Sequence, residues 1–422
     1  MFKKYTLILI LQAGIYLSCH AQNSITLEWC LDKTSLNTPR SSDSLSMSAV
    51  SDNKMRNIRS GNLPQFELNG KASYQSDVIT IDIPVPGITF PQSPRDQYKL
   101  SLDITQNIYD AGFSKCKQEI EEVVRKLELS QLEMDIRSSR MMVKDLYYNI
   151  LIIQTNQEII EISLGQLLEN RNVIQTGIKN GALLSTDLDL LDVEIIKLQQ
   201  SKTELQKTRI AGLEMLSLKT GETIPESTVL ETTGFMIPES DSLSRIEQSL
   251  FELQRDQLEK SKALSKTKSL PRVFAFGQFG YGNPALNMLK DEFEPYYIVG
   301  AGLKWTLWDW KTNARDKEIL SLQQNIIQNR KSQFEMDINA ALINQRTTIT
   351  NHEENIIAFE KILELRSRIA LIANQQLQKG VIKTMDYITY VNQETIAKIQ
   401  LENEKTLLQQ SIAKFLEIKG EL

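Results

Sequence analysis

The chain has 422 residues, with 48 lysines and arginines against 53 aspartates and glutamates, and a formal net charge of −5. A mildly acidic balance gives no reason to expect nucleic acid as a partner. Only two histidines and three cysteines are present, and no motif of a phosphate-binding loop, a serine hydrolase or a zinc protease occurs. The composition therefore predicts that the protein is not an enzyme and has no catalytic residue, cofactor or metal site.

Residues 1–21 have the layout of a secretory signal peptide. Two lysines precede an apolar run over residues 5–17, and Ala21 ends a cleavage site. The run is shorter than the roughly 20 apolar residues that cross a bilayer. Acylation of Cys19 is the alternative, although the preceding Tyr-Leu-Ser differs from the small residues usual before a lipid-anchored cysteine. Cleavage removes two lysines and no acid, which takes the net charge from −5 to −7.

The rest of the chain contains two copies of one unit. Gly70 and Tyr74 match Gly277 and Tyr281 at a separation of 207 residues. Later matches are separated by 199 residues: Ile108-Tyr109-Asp110 with Leu307-Trp308-Asp309, and Gly181, Ser185 and Asp187 with Gly380, Thr384 and Asp386. One match, SQLEMDI with SQFEMDI, is separated by 202 residues, which requires a helix insertion or chance. Such a repeat predicts the same elements in the same order twice.

Each copy begins with alternating segments of about 10 residues, the length of a membrane β-strand. Apolar and polar side chains alternate over residues 65–75, 97–108 and 297–307. A soluble, half-buried sheet has the same alternation. Export favours the membrane interpretation, and so do aromatic residues near the strand ends, where membrane-interface residues lie: Tyr98, Tyr297, Trp305, Trp308 and Trp310. Membrane barrels have at least about eight strands, so four strands per chain require an oligomer.

A long helical pattern follows each pair of strands. Residues 111–175 contain no proline, and residues 310–379 contain neither proline nor glycine. About 65 helical residues span roughly 100 Å, and their apolar residues at spacings of three and four require partner helices. Turns near Gly181 and Gly380 return the chain along helices near residues 184–219 and 385–417.

These patterns divide the chain into six segments. They are a signal peptide (1–21), an N-terminal segment (22–62), a first repeat with a β-hairpin and a long helical hairpin (63–220), a linker (221–241), a second repeat that adds a leading helix (242–417) and a C-terminal tail (418–422).

Residues 60–417 resemble the TolC family of trimeric outer-membrane efflux channels. The residues that carry the resemblance are Leu63-Pro64, Ile108-Tyr109-Asp110-Ala111-Gly112, Leu307-Trp308-Asp309, and the turns Gly181 to Asp187 and Gly380 to Asp386. The resemblance implies a mixed α/β, mainly α, membrane protein. Long antiparallel helical hairpins would form an α-barrel tunnel, and four β-strands per chain would contribute to a shared 12-stranded trimeric β-barrel.

The resemblance also implies a function and partners. The chain would be the outer-membrane channel subunit of a tripartite efflux or type I secretion system and would extend into the periplasm. It would form a homotrimer in outer-membrane lipid. A periplasmic adaptor (membrane fusion protein) and an inner-membrane RND or ABC transporter would dock to it, and solutes would pass from that pump to the outside.

The helix turns hold the residues expected to act. The resemblance implies a periplasmic gate at these turns, where related channels narrow, and its candidates are Asp187, Asp386 and Tyr387. Rings of acids there would select cations. Six residues are expected at the turns and at adaptor contacts: Gly177, Lys179, Asn180, Gly181, Lys379 and Gly380. The alternative is structural: Ser185 and Thr384 would be N-caps, the aspartates would complement helix dipoles, Tyr387 would be an exposed tip residue, and the lysines would be solvated.

Two other classes of protein share part of this pattern. A secreted or surface structural protein with long coiled coils explains the helices but not two strand pairs at equivalent positions. A periplasmic adaptor usually has a single helical hairpin, whereas this chain has two. The spacing of Cys30 and Cys116 does not assign a disulfide.

Overall fold

The computed structural model describes residues 24–79, 92–181, 183–238 and 243–422. The predicted signal peptide, with Cys19, lies outside these ranges. The described residues form β1 (Ser24–Ile25), α1 (Leu27–Asn37), a 3-10 turn (Pro39–Ser42), α2 (Asp43–Ser60), β2 (Gln65–Tyr74), β3 (Asp96–Tyr109), α3 (Phe113–Lys179), α4 (Ser185–Thr220), β4 (Val229–Leu230), α5 (Ile246–Thr267), β5 (Arg272–Asn283), β6 (Glu294–Lys304), α6 (Thr312–Gln378) and α7 (Thr384–Lys419). Within the described ranges, no helix has a stretch long and apolar enough to cross a bilayer.

The described residues divide into two compact units. The helical unit comprises residues 24–41, Leu132–Ile246 and Phe334–Leu422. The strand unit comprises Ser42–Gln131 and Glu247–Gln333.

The long helices of the two copies have equal lengths. Helices α3 and α6 each have 67 residues, and α4 and α7 each have 36. Each pair is separated by 199 residues at both ends. The second copy therefore has no net insertion in these helices, so a length difference does not explain the 202-residue separation of the SQLEMDI match.

The strand unit contains one antiparallel sheet with the order β2-β3-β5-β6. Leu68 lies opposite Leu102, which lies opposite Phe279. Glu67 lies opposite Asp103 on the other face. Because successive side chains point to opposite faces, this register collects most of the apolar residues of the four strands on one face of the sheet. The other face also carries four large apolar or aromatic side chains from β5 and β6: Phe274, Phe276, Tyr296 and Ile298. Strands β2 and β6 are its two edges and have no further neighbour among the described strands.

The last strand is shorter than the alternation predicts. Its pattern extends to Leu307, but β6 ends at Lys304. The indole Nε1 of Trp305 donates to the carbonyl oxygen of Ser269 at 3.1 Å, outside the strand ladder. Alternating polarity indicates only which side chains are exposed. A β-strand also needs hydrogen bonds to a neighbouring backbone, so the alternation can continue beyond the end of the strand.

Both strand-to-helix junctions use an aspartate and two residues with a positive φ. Asp110 accepts from the backbone N–H groups of Gly112 (3.0 Å) and Ser114 (2.8 Å), and Asp309 accepts from that of Asn313 at 2.9 Å. These bonds satisfy donors that a helix start leaves unpaired. The positive φ values are 57° and 82° at Ala111 and Gly112, and 55° and 62° at Trp310 and Lys311. The repeated aspartate is thus a helix cap.

The helical unit has its own apolar cores. One core joins α1, α3 and α4 through buried residues that include Leu27, Tyr147 and Leu213. A Cβ at Gly212 would lie 2.7 Å from Cγ1 of Ile150, so glycine permits the close approach of α4 to α3. Strands β1 and β4 pair in parallel beside this core.

The two described cysteines are free thiols in different units. Cys30 lies in the helical unit and Cys116 in the strand unit. Burial raises the pKa of the Cys30 thiol to about 12.

Candidate functional site

The first helix turn closes through glycines. Gly181 has a φ of 72°, and its N–H donates to the carbonyl oxygen of Ile178 at 3.0 Å. A Cβ at Gly177 would lie 2.7 Å from Cδ1 of Leu183. Gly177 therefore lets Leu183 fold back onto α3, which explains a glycine inside the last turn of a helix. Lys179 and Asn180 are exposed at this turn.

The second turn has the same backbone form with different residues. Gly380 has a φ of 69°, and its N–H donates to the carbonyl oxygen of Leu377 at 3.0 Å. The N–H of Val381 donates to the carbonyl oxygen of Gln376 at 2.9 Å. These bonds satisfy carbonyl groups that a helix end leaves unpaired. Lys379 is exposed beside them.

Both turns share one apolar core, in which four helices meet within the helical unit. Each helix contributes buried side chains: Leu167 and Ile174 from α3, Leu191 and Ile195 from α4, Ala373 and Leu377 from α6, and Tyr387, Ile388 and Val391 from α7. The predicted gate and turn residues of the two copies are therefore adjacent in the fold.

Tyr387 belongs to this core and is not an exposed tip residue. Its side chain is only 2% exposed, and its hydroxyl accepts a hydrogen bond from Nδ2 of Asn170 on α3. Burial raises the pKa of Tyr387 to about 12, with a further contribution from the charge of Glu394. Tyr387 is thus a neutral contact between the two helical hairpins.

The two turn aspartates differ although they are equivalent in the repeat. The carboxylate of Asp187 accepts from the backbone N–H of Leu184 at 3.1 Å, so it caps α4. Asp386 is exposed at the start of α7, and its carboxylate forms no hydrogen bond or ion pair with other described residues. The prediction that Ser185 and Thr384 are the N-caps is wrong, because both are the first helical residues and extended Leu184 and Lys383 precede them.

Sequence reasoning missed an ion pair near the first turn. Arg171 Nε and Nη2 donate to the Asp192 carboxylate at 2.6 and 3.0 Å, in a bidentate pair between α3 and α4. These hydrogen bonds lower the pKa of Asp192. In an antiparallel hairpin, residues at similar distances from the turn lie side by side. Arg171 lies ten residues before Gly181 and Asp192 lies eleven after it, so the sequence could have identified this pair.

Polar contacts between the two hairpins were also missed. Nδ2 of Asn392 on α7 donates to Oε1 of Glu194 on α4 at 2.9 Å, and the hydroxyls of Ser163 and Thr395 lie 2.8 Å apart. The 198-residue separation of Glu194 and Asn392 is one short of the repeat, whereas neither the repeat nor a turn relates Ser163 to Thr395. In the described ranges, no group of three or more His, Cys, Asp or Glu side chains could hold a metal ion.

The predicted interface aromatics are exposed at both ends of the sheet in the strand unit. Tyr98 and Tyr297 lie near the starts of β3 and β6, whereas Trp305, Trp308 and Trp310 follow the end of β6. The structure adds aromatic neighbours that the alternation did not single out: the ring of Phe279 stacks on Tyr297, with centroids 6.5 Å apart.

Comparison with known proteins identifies the fold. No family model matches the chain, and no curated protein matches it. Solved structures do match. The outer membrane protein VceC from Vibrio cholerae has a TM-score of 0.69 and 10% identity, over 93% of this chain and 96% of VceC.

Two further solved structures agree. The CmeC outer membrane channel of Campylobacter jejuni has a TM-score of 0.67 and 14% identity, over 94% of this chain and 85% of CmeC. The MtrE outer membrane channel of Neisseria gonorrhoeae has a TM-score of 0.66 and 14% identity, over 94% of this chain and 89% of MtrE. The likeness covers both copies and both units, and the chain has the TolC-like fold of these outer-membrane proteins.

Proposed function

We propose that this chain is the outer-membrane channel subunit of a tripartite efflux or type I secretion system. The four-stranded sheet carries the proposal. Large apolar side chains cover one of its faces, and Leu68, Val299 and Leu303 are each more than half exposed. A monomer in water rarely exposes so large an apolar face. Lipid would remove that face from water, while the opposite face with Glu67 and Lys99 would line a water-filled pore.

The open edges of the sheet support a homotrimer. In lipid, each unpaired backbone group of an edge strand costs several kcal/mol, so β2 and β6 need partners. Three copies would supply 12 strands, enough for a barrel wider than the side-chain-filled barrels of about eight strands. In that arrangement β6 of one copy pairs with β2 of the next, and no edge remains.

The exposed turns suit docking to a periplasmic adaptor. Lys179, Asn180 and Lys379 project from the two turns and form no hydrogen bond or ion pair through their side chains with other described residues. An adaptor that binds there would connect the channel to an inner-membrane RND or ABC transporter. The proposal places the sheet in the outer membrane and the turns in the periplasm, consistent with the outer-membrane proteins of the same fold.

The gate, in this proposal, lies at the turns, with Asp386 as its charged group. The carboxylate of Asp386 is free to face a pore, whereas that of Asp187 is occupied as a helix cap. Opening the turns would separate the two hairpins and break the bonds between Asn170 and Tyr387 and between Glu194 and Asn392.

The first experiment measures assembly and conductance. We would express the full chain, extract membranes with detergent, determine the oligomer mass and record currents in planar bilayers. The proposal expects a trimer with discrete conductance. A soluble monomer or dimer without conductance would overturn it and favour a coiled-coil structural protein.

A second experiment tests the gate. Asp386→Asn is expected to lower cation preference by about twofold, because it removes a ring of charge from the pore. Asp187→Asn is the matched variant, and it is expected to lower the melting temperature with little effect on ion preference, because it weakens a cap by about 1 kcal/mol. Equal ion preference in native protein and Asp386→Asn would reject the gate assignment and leave the channel.

A further inference from the structure

Two lysines lie directly opposite each other on the polar face of the sheet. Lys71 on β2 is in register with Lys99 on β3. Like charges in directly opposite positions destabilise a strand pair. Within one chain, neither ammonium group forms an ion pair or a hydrogen bond with the described residues. The sheet therefore carries an uncompensated pair of positive charges at this level.

The next residues in the same row leave the lysines accessible. Gly282 on β5 lies opposite Lys99, and a Cβ there would lie 3.0 Å from Cγ of Lys99. The absence of a side chain at Gly282 leaves room for the Lys99 stem. Glu294 on β6 ends the row, but its carboxylate is bonded to Lys290.

On the same face, one carboxylate of an acidic pair has compensating donors, whereas the two lysines have no compensating acceptor. Glu67 and Asp103 also lie directly opposite each other. The Asp103 carboxylate accepts from Nδ2 of Asn69 and Nε2 of Gln278, each at 2.6 Å, and from the hydroxyl of Ser101 at 3.4 Å. Donors from three strands thus compensate this acid, whereas no acceptor compensates the lysines. The contrast indicates that the lysine charge is available to a solute.

We propose that Lys71 and Lys99 bind the carboxylate or phosphate group of anionic solutes that pass along the polar face of the sheet. The inference rests on the proposed channel function, because only a pore brings solutes to this face. Three copies of the chain would place six lysines at one level. Such a ring would attract anions, in contrast to the acids proposed for the turns.

The test uses the full-length trimer in planar bilayers, with citrate as the anionic probe. Native protein is expected to show current inhibition by citrate. In Lys71→Gln/Lys99→Gln, the citrate concentration for half inhibition is expected to rise about fivefold, and the chloride-to-potassium permeability ratio to fall about twofold. Lys71→Arg/Lys99→Arg keeps both charges and is expected to behave as native protein.

The matched control removes two exposed lysines from helices, in Lys126→Gln/Lys207→Gln. Neither side chain has an ion pair or hydrogen bond among the described residues, and citrate inhibition is expected to be unchanged. If Lys71→Gln/Lys99→Gln conducts and is inhibited like native protein, the anion site is rejected and the channel stands. If native protein does not conduct, both proposals fail. If neither the double variant nor Lys99→Gln alone assembles, the lysines have a structural role and the anion site is rejected.

Discussion

Lys311 occupies the position at which the first copy has Gly112, and both residues have a positive φ. Glycine adopts this conformation freely, whereas another L-residue is strained there by about 1 kcal/mol. The second copy tolerates the strain at a junction that the Asp309 cap holds in place. Two copies of one motif therefore differ in local stability although their backbones agree.

Exchanging these residues tests the strain. Lys311→Gly is expected to raise the melting temperature of the detergent-extracted protein, because relief of about 1 kcal/mol shifts it by a few degrees. Gly112→Ala is expected to lower it for the opposite reason. Lys311→Ala keeps the strain, so a rise in that variant equal to that of Lys311→Gly would contradict the explanation.

The two helical hairpins differ in what holds them closed near their turns. The first uses the Arg171–Asp192 ion pair. At the same repeat positions the second has Ala370 and Val391, which are buried at 5% and 3% exposure. A solvent-exposed ion pair contributes little to stability and weakens with salt, whereas buried apolar contacts do not depend on pH. Acid should therefore weaken this contact of the first hairpin and leave the equivalent apolar contact of the second unchanged.

The pH dependence follows from the lowered pKa of Asp192. Hydrogen bonds from Arg171 lower that pKa in the folded chain, so the pair stabilises the fold above the unfolded value of about 4. This stability is lost as pH falls through the lower, folded pKa. We expect Asp192→Asn to lower the melting temperature at about pH 6 and to have less effect at about pH 3. Asp189→Asn, at an exposed residue of the same helix, is the control and should show no such difference.

Removing one oxygen atom weakens the contact between the two helical hairpins at Tyr387. Tyr387→Phe removes the hydroxyl that bonds Asn170 and leaves a buried amide with one partner fewer, at a cost of about 1 kcal/mol. Backbone amides near the start of α7 are expected to exchange hydrogen faster, and the open probability in bilayers is expected to rise. Tyr390→Phe, at the edge of the same core, is the control. Unchanged exchange in Tyr387→Phe would contradict the role given to this bond.

At the scale of the whole molecule, charged substitutions on the two faces of the sheet test whether the apolar face contacts lipid. Leu102 lies on the apolar face and Thr105 on the polar face of the same strand. A lysine on a lipid-facing strand position costs about 2–4 kcal/mol near the bilayer midplane, and three copies multiply that cost. Leu102→Lys is therefore expected to reduce the amount of assembled, membrane-extracted trimer.

Thr105→Lys introduces the same charge on the face that would line water, and it is expected to assemble normally with altered conductance. Gel filtration and membrane fractionation measure both variants. Equal assembly of the two would show that the apolar face does not meet lipid.

Much of this architecture is local and could be predicted from the sequence. Period-2 alternation identified β2, β3 and β6, and the match of Gly277 and Tyr281 to the first copy indicated β5. The absence of proline identified the long helices, and the 199-residue repeat identified two copies. Each signal depends on neighbours in the chain, because strands and helices place their side chains with fixed periods. The glycines at the turns are also a local signal, because Gly181 and Gly380 have the positive φ that favours glycine.

Other properties were decided only by tertiary structure. The sequence treats Asp187 and Asp386 as equivalent, but one carboxylate caps a helix and the other is free. The sequence alone does not decide whether Tyr387 is exposed or buried, whereas the structure buries it against α3, where Asn170 bonds its hydroxyl. The opposition of Lys71 and Lys99 depends on the register of two strands that are not adjacent in the sequence. These contacts join residues far apart in the chain, and no local period specifies which distant backbone will lie opposite, so packing and register decide them.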